Sequence, residues 1–349
     1  MGSLFSYSGL TTKIKAMKRN LLTDSQYREM AALDSVAGSV EYLKKQPSYQ
    51  HIFTQTDAGQ MHRSDIEELL LQAEYRDFSK LYRFANLSQR KFLDLYFMHY
   101  EISILKRCLR NLMGGQPMTL KLYHFQEFFE RHSQLDVIKL TAAKNLSEFT
   151  ANLSGTPYYA LLMQLNLQEN LTVFDYEMQL DFLYFKTMWR MKNKQLKGKE
   201  QQMITQCFGS RLDMLNIQWI YRCLRYYSMT PEEIMALLIP VFWHLKPEQM
   251  RKLASCTSLE EFFSLLKTTR YGTLNLANLE EQPNPEKLSL QVLARIHHLT
   301  ALHEPYSVAS LNSYLYFKEL EIHRIITIIE SIRYGLGQQQ ILNRLENVM

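Results

Sequence analysis

A chain of 349 residues that is 46% hydrophobic can hold two or three ordinary domains, or three small subdomains sharing a core, and is too apolar to be disordered. Only 12 glycines and 9 prolines argue against a loop-rich β architecture and against glycine-rich phosphate cradles. The net charge of +5 suits an acidic partner or an anionic surface but falls short of a nucleic-acid signature.

Taken in order, the bases Lys13, Lys15, Lys18 and Arg19 are followed by no sustained apolar run, so no secretory signal is expected. Residues 22–49 then open the first of three related stretches, the others being 132–159 and 245–272, spaced about 110 residues apart. Laid on one another they superpose Tyr27, Val137 and Met250, then Met30, Leu140 and Leu253, then Val36, Leu146 and Leu259, then Leu43, Leu153 and Leu266. Ser35, Asn145 and Ser258 precede the third set, and each has a side-chain oxygen able to cap a helix. Glu148 and Glu261 stand where they would complete a capping box, and Gly38 takes that place in the first copy. One capped amphipathic helix, used three times, is the pattern.

Between the copies the helical signal is nearly continuous, and no alternating run bounded by hairpin turns appears. Residues 64–67 read as a capping box opening a stripe of Ile66, Leu69, Leu70, Ala73 and Phe78. Glu67, Glu68, Glu74 and Asp77, followed by Lys80 and Arg83, read as a salt-bridged helix surface rather than as paired catalytic carboxylates. Residues 101–110 and 216–225 align as closing helices with an identical Arg-Cys-Leu-Arg run, and residues 321–326 open similarly. Lys106, Arg107 and Arg110 read as the rim of a packed helix that buries Ile102, Leu105 and Leu109. Thr230-Pro231-Glu232-Glu233 is a further helix start. Breaks at 114–117 and 228–231 divide the chain into units 1–115, 116–228 and 229–349; 197–199 and 282–285 divide the last two internally.

The stretch 175–194 carries acids early and bases late, matching the helix dipole. Its end begins a run of six bases with no acid before Glu200: Lys186, Arg190, Lys192, Lys194, Lys197 and Lys199. We take these as candidate partner-binding residues for an acidic surface or lipid head groups; a solvated, dipole-matched helix end is the plainer alternative. The four cysteines form no Cys-x-x-Cys pair and read as reduced, mostly buried thiols. Four Asn-Leu-Ser/Thr sequons read as helix caps. His297, His298 and His303 lack metal-ligand spacing, and neither a P-loop nor a Gly-x-Ser-x-Gly elbow occurs, so no metal, cofactor or catalytic residue is expected. The best apolar run, 234–245, contains Pro240 and is far short of the ~20 residues that span a membrane.

Several segments resemble the component of V-type and archaeal-type rotary ATPases that is named C in prokaryotes and d in eukaryotes. They are residues 7–22 (YSGLTTKIKAMKRNLL) with Thr23-Asp24-Ser25-Gln26-Tyr27 after them, the third copy closing in Thr-Thr-Arg-Tyr, and Asn216-Ile217 with Leu237-Leu238-Ile239-Pro240. Val241-Phe242-Trp243 after Pro240, and Pro47-Ser48-Tyr49, depart from the family pattern. The resemblance implies an all-α protein of three similar helical subdomains arranged as a funnel around a pseudo-threefold axis. It implies a non-catalytic rotor adaptor, peripheral on the cytoplasmic face of the membrane, linking central shaft subunits to membrane ring subunits for proton or sodium transport. A helical scaffold for another client, or a basic helical binder of RNA or anionic membrane, also fits the composition. A helical enzyme has no motif in its favour.

Overall fold

The computed structural model describes residues 2–53, 61–115, 122, 125–227, 229–272 and 284–346. The predicted breaks at Gln116-Pro117, Ser228 and Gln282-Pro283 lie outside these residues. Every regular element among the described residues is helical, and none is a strand. The chain forms two compact units, one made of residues 1–86 with 196–349, the other of residues 87–195.

The contiguous unit holds α6 (Leu87–Met113), the short helices α7 (Gln126–His132), α8 (Val137–Ala142), α9 (Leu146–Ala151) and α10 (Tyr159–Leu165), and α11 (Val173–Gln195). Long helix α6 packs along α11. Ile102, Leu105 and Leu109 are buried as expected, while Lys106 pairs with Asp181 at 2.5 Å and Arg110 grips Glu177 through both guanidinium edges. The basic rim of α6 thus lies against acids of α11, and Asp175 in the first turn of α11 accepts from the Thr172 amide at 2.7 Å. An aromatic core of Phe97, Tyr100, Phe125, Phe128 and Phe129 closes the other side of α6.

The discontinuous unit holds α1 (Gly2–Lys18), α2 (Asp24–Ala31), α3 (Val36–Lys44), α4 (Gln50–Phe53) and α5 (Arg63–Phe84). After residue 196 come α12 (Gly198–Tyr226), α13 (Pro231–Leu237), α14 (Pro247–Ala254), α15 (Leu259–Lys267), α16 (Pro285–His303), α17 (Val308–Arg333) and α18 (Gln338–Leu345). Two apolar cores lie among its described residues. In one, Ile217, Ile220, Met250, Leu253, Phe262, Leu266 and Leu293 join α12, α14, α15 and α16. In the other, Tyr27, Met30, Leu43, Leu70, Ile325, Ile328 and Ile341 join early helices to α17 and α18.

The repeated caps form. Ser35, Asn145 and Ser258 accept from the amides of Gly38, Glu148 and Glu261 at 3.0, 2.9 and 3.1 Å. The expected boxes are displaced by one residue: Glu148 accepts from the Lys144 amide at 2.9 Å and Glu261 from the Thr257 amide at 2.8 Å, each ahead of its cap. Met30, Leu140 and Leu253 are buried, as are Leu43, Leu153 and Leu266; Val36, Leu146 and Leu259 are half-buried. The box expected at 64–67 starts earlier, because Asp65 accepts from the His62 amide at 3.0 Å and α5 begins at Arg63. The helix start predicted at Thr230 forms with Pro231 in the first turn, and Thr230 and Glu233 close a reciprocal box there. Of the sequon asparagines, Asn145 caps α9, whereas Asn152 ends it and Asn170 sits at φ 61° in a turn.

Candidate functional site

Hydrogen-bonded carboxylates recur on the long helices of both units. On α17, Glu321 and Lys318 are each 1% exposed and pair at 2.7 Å. The other donors to the Glu321 carboxylate are the Tyr49 hydroxyl and the Leu22 amide, and Lys318 Nζ also reaches the Tyr49 oxygen at 3.0 Å. Asp77 of α5 extends the network, accepting from the Tyr314 hydroxyl at 2.6 Å and from Lys80 at 3.1 Å. This corrects the reading of 67–77 as a surface: Glu74 and Asp77 are both buried. A buried pair of this kind needs full hydrogen bonding, because an unpartnered ion there costs several kcal/mol.

On α6, Glu101 accepts from the Tyr158 hydroxyl at 2.7 Å and from the Ser133 hydroxyl. On α12, Asp213 accepts from the amides of Trp243, His244 and Leu245 at 3.1, 2.7 and 3.2 Å and from the Tyr271 hydroxyl at 2.8 Å. Burial pushes the Glu101 and Asp213 carboxyls up from their ordinary values, against the pull of those hydrogen bonds. One turn along α12, Asn216 pairs both ways with the Ile239 backbone, at 3.0 and 2.8 Å. That bidentate pair is the physical content of the Asn-Ile and Leu-Ile-Pro segments read from the sequence.

The six candidate bases separate. Lys186, Arg190 and Lys194 recur every fourth residue along α11 and are exposed. Lys192 falls on the opposite side: it is 3% exposed, its Nζ lies 3.8 Å from the Trp189 ring centroid and 2.9 Å from Asn193 Oδ1, and burial lowers its pKa. Lys197 and Lys199 are exposed in the other unit, where Lys199 pairs with Glu304 at 3.0 Å. The histidines do not converge either. His297 is buried and stacked on Tyr316 at 4.1 Å, while His298 and His303 are exposed.

All four cysteines are buried and free. No group of His, Cys, Asp or Glu among the described residues is arranged to hold a metal ion. An open groove of about 530 Å³ lies between α2, α17 and α18, lined by Arg28 and Arg324 but also by Asp24 and Glu346, so its charges offset. No helix among the described residues is long and apolar enough to cross a membrane.

A family model for the ATP synthase (C/AC39) subunit matches residues 10–344. The chain belongs to this family. Its similar proteins include the C subunit of the A-type ATP synthase from Pyrococcus abyssi, 24% identical over 96% of this chain and 89% of that one. The Thermococcus kodakarensis protein of the same name is 21% identical with the same coverage of each chain. The one from Methanococcoides burtonii is 20% identical over 99% of this chain and 95% of its own length. Members of this family are subunits of rotary ATPases.

Proposed function

We propose that this protein is the non-catalytic rotor adaptor of a V/A-type ATPase, joining the central shaft to the membrane ring and passing torque between them. The observation that carries the reading is the family match, which runs from residue 10 to residue 344 and so takes in both compact units. The adaptor is built as three similar helical subdomains around a pseudo-threefold axis, forming a funnel whose repeats trace to units 1–115, 116–228 and 229–349. The three capped segments and the three hydrogen-bonded acids on long helices support the threefold repetition. It works on the cytoplasmic face as a peripheral protein, in a machine that moves protons or sodium.

The load sets the design. One charge crossing 100 mV is worth ~2.3 kcal/mol, so a few ions per step approach the ~5–15 kcal/mol that holds a whole domain folded. A single contact would fail; a permanent interface of roughly 2,000 Å² or more spreads the load. Close-packed helices supply the stiffness. The exposed bases Lys186, Arg190 and Lys194 face the acidic partner surface or lipid head groups, with Lys197 and Lys199 adding charge; Lys192 supports the helix from within.

The test is gentle solubilisation of the source membrane followed by isolation on a tagged copy of this chain and mass spectrometry of its companions. Recovery with shaft and ring subunits is expected; recovery alone, or with an unrelated client, refutes the proposal. In the same assay Lys186→Glu with Lys194→Glu should weaken assembly more at low salt than at high salt.

A further inference from the structure

Three carboxylates, the buried Glu321 and Asp213 and the half-buried Glu101, are each held by donors from the two ends of one repeated segment. Glu321 takes the Leu22 amide and the Tyr49 hydroxyl, the first and last residues of the stretch 22–49. Glu101 takes the hydroxyls of Ser133 and Tyr158, near the two ends of 132–159. Asp213 takes the amides of 243–245 and the Tyr271 hydroxyl, which bracket 245–272. In every case the acid belongs to a long helix and the segment between the donors contains the capped amphipathic helix: α3, α9 or α15. The acids themselves are not in strict register, since Asp213 stands one turn ahead of Asn216, the residue aligned with Glu101 and Glu321. The shared feature is therefore the connection, not the residue number.

We infer that these are three strap clasps, in which one carboxylate ties both ends of a repeated segment to its long helix, so that each segment docks and releases as a single cooperative unit. A segment fixed at one end would fray from the other. With both ends on one acid, loss of either donor weakens the hold on both, because the remaining donor then shares a carboxylate that has lost part of its compensation. The strap's leucines Leu43, Leu153 and Leu266 stay buried only while both ends stay closed, which makes the segment an opening unit in the sense used for native-state exchange. The clasps are independent of the rotary-adaptor role.

The first clasp differs from the others by its cation. Lys318 shares the Glu321 oxygen that Tyr49 occupies and lies 4.0 Å from Asp77, so the first strap is tied to α5 as well as to α17. Glu101 and Asp213 are instead held by hydroxyls and amides.

The test uses the full chain and three substitutions that each delete one hydroxyl at nearly constant volume: Tyr49→Phe, Tyr158→Phe and Tyr271→Phe. Amide hydrogen exchange is followed by segment. Tyr271→Phe is expected to speed exchange about ten- to hundredfold both near residue 271 and at the amides of 243–245, leaving 22–49 and 133–158 unchanged. Tyr158→Phe should act on 133–158 alone, and Tyr49→Phe on 22–49 alone. Acceleration confined to the turn carrying the substituted tyrosine overturns the inference, as does a uniform rise across the chain. A second measurement crosses Ser133→Ala with Tyr158→Phe: because both act through Glu101, the double variant should exchange more slowly than the product of the two single effects predicts. A simply multiplicative result refutes the clasp.

Discussion

His297→Phe removes a titrating group from the interior while keeping an aromatic ring against Tyr316. The histidine stacks on Tyr316 at 4.1 Å with the rings parallel, and its Nδ1 lies 3.4 Å from Asn312 Nδ2. Burial, with Arg211 and Lys18 adding to it and Glu319 opposing, pulls its pKa from the ordinary 6.5 to about 3. Between those values the unfolded chain binds a proton that the folded protein does not. The histidine's contribution to stability is therefore complete above pH 6.5 and is lost as pH falls towards 3, at about 1.4 kcal/mol per pH unit. From pH 7 to pH 5 this amounts to about 2 kcal/mol, a roughly thirtyfold change in opening equilibrium that the phenylalanine variant escapes. At pH 7 the variant should be the weaker protein by about 1 kcal/mol, since Asn312 loses its ring partner. By pH 5 that order should reverse. Hydrogen exchange of α16 amides, compared between the two proteins at each pH so that intrinsic rates cancel, reads the difference. A gap that stays constant from pH 7 to pH 5 refutes the assignment of His297 as a neutral buried ring.

Two further substitutions test packing and capping. A Cβ at Gly209 would lie 2.5 Å from Cγ of Trp243, so Gly209→Ala must displace the indole or the helix; a loss of about 1–3 kcal/mol is expected in denaturant unfolding. An unchanged midpoint would mean that Trp243 is free to move. Thr230→Ala deletes the cap that receives the Glu233 amide at 3.3 Å, and should cost about 1 kcal/mol, seen as faster exchange in the first turn of α13 with other helices unaffected.

Local signals are legible in the sequence and distant ones are not. Ser35, Asn145 and Ser258 cap helices because a cap is a three-residue affair, written where it acts. The burial of Ile102, Leu105 and Leu109, with Lys106 and Arg110 at the rim, follows from helical spacing alone. Lys192 groups with its neighbours in sequence because a run of bases describes composition rather than direction; two residues from both Arg190 and Lys194, it points away from them. Asp77 reads as a surface acid because its partner Tyr314 lies 237 residues further on. The Glu321 clasp is invisible for the same reason, since Leu22 is 299 residues distant and no pattern in one sequence links them.

That distance has a cost during synthesis. The core that buries Tyr27, Met30, Leu43 and Leu70 is completed only by Ile325, Ile328 and Ile341. At the ribosome's pace of roughly 5–20 residues per second, the early helices wait roughly ten to fifty seconds for the partners that cover them. The unit at residues 87–195 emerges as one continuous piece and meets no such delay. A nascent chain of this design therefore spends its elongation with a sticky leading end beside a finished middle, which makes the leading end the place where a holding chaperone would act and where premature termination would leave an aggregation-prone product.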